Sequence, residues 1–372
     1  MTTFAAMFKG ARILVAPLDW GLGHAARCVP LIDALIARGA LPIIAADRGP
    51  LALLRQEFPR LETVRLPGVE VRYSKGNNQL WSMARQFPAL VRSVRAEQAA
   101  FDRLRQHMRL DAVISDQRFG VRAAEIPSVL ITHQVFPFTP FAQRALRKLN
   151  IRNIARFDRC WIMDEPEAPG LAGELSHGDG LPSNARYIGP VSRMAGAKPG
   201  AQVPCTIAAI ISGPEPQRTM LEQRLLDAMQ VMPGEHLLVL GQPQQPRDER
   251  RGNVRVRSHM NASELTGVMQ SAGLVVSRSG YTTLMDLAAV GRSALIIPTP
   301  GQAEQEYLGR LHARTGRFIV QRQDDLDLKS ALQRMRDADA RAPVRGERLL
   351  NEALNDLASL LIRRSPPTLR RA

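Results

Sequence analysis

The chain of 372 residues has only three cysteines, Cys28, Cys160 and Cys205, and they lie far apart. No Cys-x-x-Cys pair occurs, which argues against a zinc site, and an odd count argues against a disulfide framework. A reducing cytoplasm is the simplest home for such a chain. Aromatic residues are scarce, at 5%, which disfavours a module built on stacking platforms. No apolar run reaches the roughly 18 residues that a membrane-spanning helix requires. The stretch from Met1 to Arg12 lacks the apolar core of a signal peptide. Acidic residues are few beside basic ones, 35 against 50, for a formal charge of +15. Nucleic acid, an anionic membrane surface or an acidic substrate would each suit that charge. The arginines scatter over many segments without an RNA- or DNA-binding motif, so nucleic acid is not expected as a partner.

What is present is enough for two cores: 45% of residues are apolar, and at roughly 150 residues per domain the length favours two domains. Arg12 to Pro17 (RILVAP) reads as a buried strand that ends in the loop Asp19-Trp20-Gly21-Leu22-Gly23-His24. Helical spacing follows to Arg38, closed by Gly39, and Leu41 to Ala46 is the next strand, so the chain opens as a βαβ unit. Helical spacing from Leu80 to Arg109 precedes strands at Ala112–Ser115 and Ser128–Thr132, which deliver Asp116 and His133-Gln134 at their ends. Cys160–Met163 and Tyr187-Ile188 continue the series. Pro190 to Pro204, rich in Pro, Gly and Ala, lacks periodicity and reads as a linker.

The pattern then restarts with a strand at Thr206–Ile211, a turn at Ser212-Gly213-Pro214 and a helix from Gln217 to Met232. A strand at Leu237–Leu240, a polar loop from Gly241 to Gly252, and strands at Val254–Arg257, Leu274–Ser277 and Ala294–Pro298 complete it. The expected fold is α/β, with an N-terminal Rossmann-like domain over 1–190, a linker over 191–204 and a second Rossmann-like domain over 205–345. A helix over 346–364 is expected to pack back on the first domain, ahead of a basic tail over 365–372.

Four places could carry chemistry. In the first loop, Gly21 and Gly23 let the backbone approach a ligand, and His24 stands where a strand hands over to a helix, at the edge where α/β sheets bind ligands. A histidine base needs a partner to orient its ring, and Asp116, at another strand end, is the candidate. Helix capping is the plain alternative for both residues. His133 and Gln134 close a strand on the same edge and are candidates for contact with an acceptor. In the second half, Ser212 and Gly213 with Arg218, and Arg278, Ser279 and Gly280, each place a small-residue turn and an arginine at a helix start, the arrangement that holds phosphates. Asp286, two helical turns on from Ser279, suits a ribose diol. Gln305 and Glu306 are residue types that hold sugar hydroxyls. No metal site is expected.

From Ser277 to Tyr307 the chain, SRSGYTTLMDLAAVGRSALIIPTPGQAEQEY, resembles the donor-binding signature of family 28 glycosyltransferases. The resemblance implies a GT-B fold, two Rossmann-like domains facing a cleft, with the acceptor on the N-terminal domain and a UDP-sugar on the C-terminal one. It places Asp286 at the ribose, where a glutamate is more usual, and Gln305 and Glu306 at two sugar-contacting glutamines. Ser279 and Gly280 would lie near the diphosphate, and His24 at the histidine that ends the N-terminal Gly-rich loop. The sequence departs from the family's pattern at that loop, which reads DWGLGH, and at SGPEPQ, where a glycine-rich turn is usual.

The resemblance implies an inverting, metal-independent transferase with no cofactor, a UDP-sugar donor (UDP-N-acetylglucosamine by family habit) and an unidentified hydroxyl acceptor. A lipid-linked acceptor and an anionic membrane surface are candidate partners, at the inner face of the cell membrane. The stretch from Phe136 to Phe157 mixes aromatic and basic residues in a way that suits interfacial docking or an ordinary buried aromatic stripe. A UDP-sugar 2-epimerase of the same architecture and a non-catalytic nucleotide-sugar-binding protein remain as alternatives.

Overall fold

The structure, a computed structural model, describes residues 7–19, 21–68, 94–138, 143–200, 204–213, 215–336 and 342–364. Among these, the chain divides into two compact units: one reaches Val191 and resumes at Arg345, and the other is Ser192–Val344.

The first unit opens with β1 (Arg12–Pro17), α1 (Leu22–Ile36), β2 (Leu41–Ala46), α2 (Arg48–Glu57) and β3 (Glu62–Arg65). Of the long helix expected from Leu80, residues 94–107 are described and are helical (α3); residues 69–93 lie outside the described ones. β4 (Ala112–Asp116), β5 (Ser128–Thr132), α4 (Gln143–Ile154), β6 (Arg159–Ile162) and β7 (Ala185–Tyr187) follow. The strands form one sheet in the order β3-β2-β1-β4-β5-β6-β7, every pairing parallel. β4 and β5 are buried along their whole length, as strands covered on both faces must be. Leu14, Ile43 and Val113 pack with Phe101 of α3. Phe136 and Phe157 join Leu130 and Ile162 in a second cluster, so these two aromatics are core residues and not a docking surface.

In the second unit, β8 (Ile207–Ile210), α5 (Gln217–Gln230), β9 (His236–Val239), β10 (Asp248–Arg251), β11 (Val254–Arg257) and α6 (Ala262–Ser271) come first. Then come β12 (Leu274–Arg278), α7 (Tyr281–Ala289), β13 (Leu295–Ile297), α8 (Ala303–Arg314), β14 (Ile319–Val320) and α9 (Leu328–Arg336). The sheet runs β10-β11-β9-β8-β12-β13-β14. It is parallel except for β10, which pairs antiparallel with β11. The polar stretch expected as a loop over 241–252 therefore contains an edge strand. Its residues are charged because an edge strand faces water, and Asp248 pairs with Arg255 at 2.8 Å across the hairpin.

Both sheets reverse direction once. In the first, the chain runs outward from β1 through β2 to β3, then returns to β4 and runs the other way. In the second, the reversal lies between β8 and β12. A parallel sheet opens a crevice at the carboxyl ends of the strands flanking such a reversal, and ligands bind there. His24 follows β1, Asp116 ends β4, Ser212 follows β8 and Ser279 follows β12.

The stretch expected as a linker is packed where it is described. Ser192 and Met194 are buried, and the Gly200 amide donates to the Ser263 carbonyl at 2.9 Å. α10 (Glu347–Arg364) belongs to the first unit, where Arg38 donates to Asn351 at 2.6 Å and Arg159 to Asp356 at 2.6 Å. It starts just past a close approach of two backbones: a Cβ on Gly346 would stand 2.5 Å from the Pro190 carbonyl oxygen. Gly346→Ala is expected to destabilise the first unit by about 1–3 kcal/mol, the usual cost of forcing an extra methyl into a filled space. A urea midpoint equal to that of the unaltered protein would contradict this packing.

Candidate active site

At the reversal of the first sheet, Asp116 ends β4 with no exposure at all. Three residues of the first turns of α1, His24, Arg27 and Cys28, are turned toward it, as residues three or four apart on a helix must be. Arg27 grips both carboxylate oxygens, with Nε donating to Oδ2 at 2.9 Å and Nη2 to Oδ1. Nδ1 of His24 lies 2.9 Å from Oδ2. Arg27 also reaches Nδ1 of His133, 3.2 Å away at the end of β5. Gln134 lies against His133, its amide nitrogen 3.3 Å from Nε2. The structure thus brings His24, Asp116 and His133 together, as the sequence suggested. It adds Arg27, whose three-residue spacing from His24 was the signal available beforehand.

The charges decide protonation. Burial alone would raise the Asp116 carboxyl, but Arg27 and His24 outweigh burial and hold it at about 2. Burial lowers His24 from the ordinary histidine value, and the Arg27 cation adds to the effect against the opposing pull of Asp116. At neutral pH the pair is therefore an ionised carboxylate and a neutral imidazole. His24 Nδ1 also lies 2.9 Å from Arg27 Nη2. A carboxylate only accepts and a guanidinium only donates, so the ring nitrogen bonds to one of them at a time. When Nδ1–H donates to Asp116, Nε2 keeps a free lone pair, which is the tautomer a base needs.

Two neighbours complete this edge. Gln117 has φ 57, a left-handed backbone rare outside glycine, and its amide donates to Thr132 Oγ1 at 3.0 Å. Asp19, in the loop after β1, is raised to about 6 by burial and by Asp47. Gly21 caps α1 with φ 95 and Gly23 lies in its first turn; Trp20 lies outside the described residues.

In the second unit, Ser212 and Gly213 are exposed after β8, and Gly213, with φ 121, has open space where a Cβ would point. Gly280 caps α7 and also faces open space, while Ser279 Oγ donates to the Gln305 carbonyl at 2.9 Å. The two arginines expected at a diphosphate are engaged by the protein. Arg218 donates to Glu215 at 2.7 Å and to Glu222 at 2.8 Å. Arg278 is buried and gives its donors to the Gln217 carbonyl at 2.8 Å and to Gln323 Oε1 at 2.6 Å. Gln305 accepts from the Thr299 amide at 2.9 Å and Glu306 from the Gly301 amide at 2.7 Å, so both brace the loop before α8. Asp286 is buried on α7 and accepts from Ser192 Oγ at 2.6 Å, a partner the sequence did not suggest. Among the described residues no cluster of His, Cys, Asp and Glu is arranged to hold a metal ion.

Residues 241–360 match the glycosyltransferase family 28 C-terminal domain. A UDP-N-acetylglucosamine–N-acetylmuramyl-(pentapeptide) pyrophosphoryl-undecaprenol N-acetylglucosamine transferase of Nitrobacter hamburgensis is 30% identical over 155 residues, 37% of this chain and 39% of that protein. The transferase of the same name from Methylorubrum extorquens is 51% identical over 43 residues, 12% of each chain. The matches therefore span 39% or less of these relatives' length. Among solved structures, the glycosyltransferase of kitacinnamycin superposes with a TM-score of 0.64 at 15% identity, covering 96% of this chain and all of that one. That likeness gives the fold, GT-B.

Burial raises Asp286 to about 6. A carboxyl raised on folding adds stability below its unfolded value of 3.8 and loses that contribution as pH climbs through about 6. Asp286→Asn keeps an acceptor for Ser192 without the charge. It is expected to gain stability at pH 8, on the order of 2–3 kcal/mol, and nothing at pH 3.5. Urea unfolding at the two pH values measures the difference, and equal gains would contradict a buried, ionised Asp286.

Proposed function

We propose that this chain, a family 28-like protein of GT-B fold, is an inverting glycosyltransferase that moves a sugar from a UDP donor to an acceptor hydroxyl, UDP-N-acetylglucosamine being the first donor to test. The matched C-terminal segment supports the reaction class. One observation carries the chemistry: the His24 imidazole is held 2.9 Å from a fully buried carboxylate at the reversal of the first sheet.

In this reading His24 Nε2 removes the proton of the acceptor hydroxyl as its oxygen attacks the anomeric carbon from the face opposite the leaving group. The new C–O bond forms, the bond from the anomeric carbon to the UDP oxygen breaks, and UDP leaves with that electron pair. Asp116 holds the ring and stabilises the imidazolium, and Arg27 keeps Asp116 ionised. In the second unit, the exposed Gly213 turn and the α7 N-terminus capped by Gly280 receive the diphosphate, whose charge favours helix N-termini. Asp286 takes the ribose hydroxyls after exchanging Ser192. Gln305 and Glu306 shape the sugar pocket through the loop they brace. His133 and Gln134 face the acceptor, with Gly21 and Gly23 giving its backbone room. A divalent ion has no assigned role, so turnover is expected to survive EDTA.

UDP and UDP-N-acetylglucosamine should raise the melting temperature of the protein, and Asp286→Ala should abolish the rise. His24→Ala should keep the rise and lose transfer by about 100-fold or more, the usual contribution of a general base. A flat thermal response to uridine ligands would sink the donor assignment, and a full rate in His24→Ala would sink the base. UDP release without any acceptor, with an epimerised sugar as product, would favour the 2-epimerase.

A peripheral position on an anionic membrane, serving a lipid-linked acceptor, has its own support. Arg144, Lys148 and Arg152 recur every four residues on α4 and are all exposed, the spacing of one helix face. Among the described residues no helix is long and apolar enough to cross a membrane. The protein should float with phosphatidylglycerol liposomes at low salt, and reversal of these three charges to Glu should abolish flotation. Absence of binding by the unaltered protein would retire the membrane reading.

A further inference from the structure

The second unit holds a cavity of about 860 Å³ between the start of α5, the outer flank of α8 and the loops after β13 and β14. Neither Ser279, Gly280 nor Asp286 lines it; of the residues assigned to the donor, Glu306 alone is among its lining residues.

The lining makes a specific demand. Arg224 enters from α5 and Arg310 from α8. Arg310 has no ion-pair or hydrogen-bond partner among the described residues, and Arg224 spends one Nη1 bond on the Gln323 carbonyl at 3.1 Å. Arg322 also lines the cavity but is paired with Asp324 at 2.8 Å; the other two guanidiniums, on separate walls, suit an anion with several oxygens. Gln217 also lines the cavity; it is buried at 4% exposure and its side-chain oxygen has no partner among the described residues. A buried amide oxygen left unpaired costs about 1–3 kcal/mol, so the site is incomplete until a ligand N–H or O–H donates to it. Glu306 ties one oxygen to the Gly301 amide and keeps the other as a further acceptor.

The floor is built in advance. Buried Arg278 joins three lining residues, donating to the Gln217 carbonyl at 2.8 Å, Gln323 Oε1 at 2.6 Å and the Pro298 carbonyl at 3.3 Å. The residue that the sequence assigned to a phosphate thus fixes the position of a different pocket. Among the described residues no aromatic side chain lines the cavity, which disfavours a base or another flat ring.

We infer that this cavity is a second ligand site, for a sugar that carries a carboxylate or phosphate: the arginines take the anion, and Gln217 and Glu306 take hydroxyls. The site goes beyond the proposed transfer and is judged by binding alone. Titration calorimetry of the full chain with glucose 6-phosphate, glucuronate, glucose and inorganic phosphate tests it. At least one acidic sugar is expected to bind, with neutral glucose and free phosphate at least tenfold weaker; which of the two binds better assigns the anion. The double variant Arg224→Gln with Arg310→Gln should weaken that binding tenfold or more, as should Gln217→Leu, with no fall in the melting temperature of either ligand-free variant. Binding of neither acidic sugar, phosphate binding as tightly as glucose 6-phosphate, or full affinity in the double variant would each overturn the assignment.

Discussion

The edge of the first sheet depends on one ion pair. A carboxylate with no exposure, at the end of a strand flanked by two others, is among the most costly groups a fold can carry, because water no longer solvates it. Arg27 offsets that cost with two hydrogen bonds to the carboxylate oxygens. Loss of either partner would leave a buried charge uncompensated, a change that costs several kcal/mol. The pair also dictates its surroundings: it seats the first turns of α1 against β4, depresses both ionisations in the His24–Asp116 couple, and reaches His133 on the next strand. Protonation and architecture at this edge therefore share one interaction.

The second half of the chain meets a similar constraint with a different solution. Where β12 ends, Arg278 is turned inward and joins the start of α5 to the loops after β13 and β14. Burial lowers it to about 10, still far above neutral pH, so the cation persists. The glycine turns beside it are left open, and the Arg278 charge shapes the scaffold around them.

These differences mark how far the sequence could be read. The strands were legible because parallel strands covered on both faces are short apolar runs with polar stops. His24, Asp116, Ser212 and Ser279 were legible because each stands at such a stop. Arg27 was hidden by abundance, being one of many arginines and distinguishable only by its spacing from His24. Arg278 looked like a phosphate ligand because it precedes a small-residue turn, and residue order does not reveal which way a long side chain folds. β10 was missed because a charged edge strand carries no apolar alternation. Ser192 was out of reach because its partner lies 94 residues away.

The contact between Ser192 and Asp286 bears on any diol that this carboxylate would bind. A hydroxyl tethered by the chain itself stands against the carboxylate at a fixed and high effective concentration. Any diol that reaches Asp286 enters by substitution, trading one hydroxyl for another, and its observed affinity is the difference between two similar bonds. Such a carboxylate discriminates by what the incoming molecule offers beyond the first hydroxyl. A ligand with a single hydroxyl gains little over the resident serine, whereas a vicinal pair gains a second bond that the serine cannot supply.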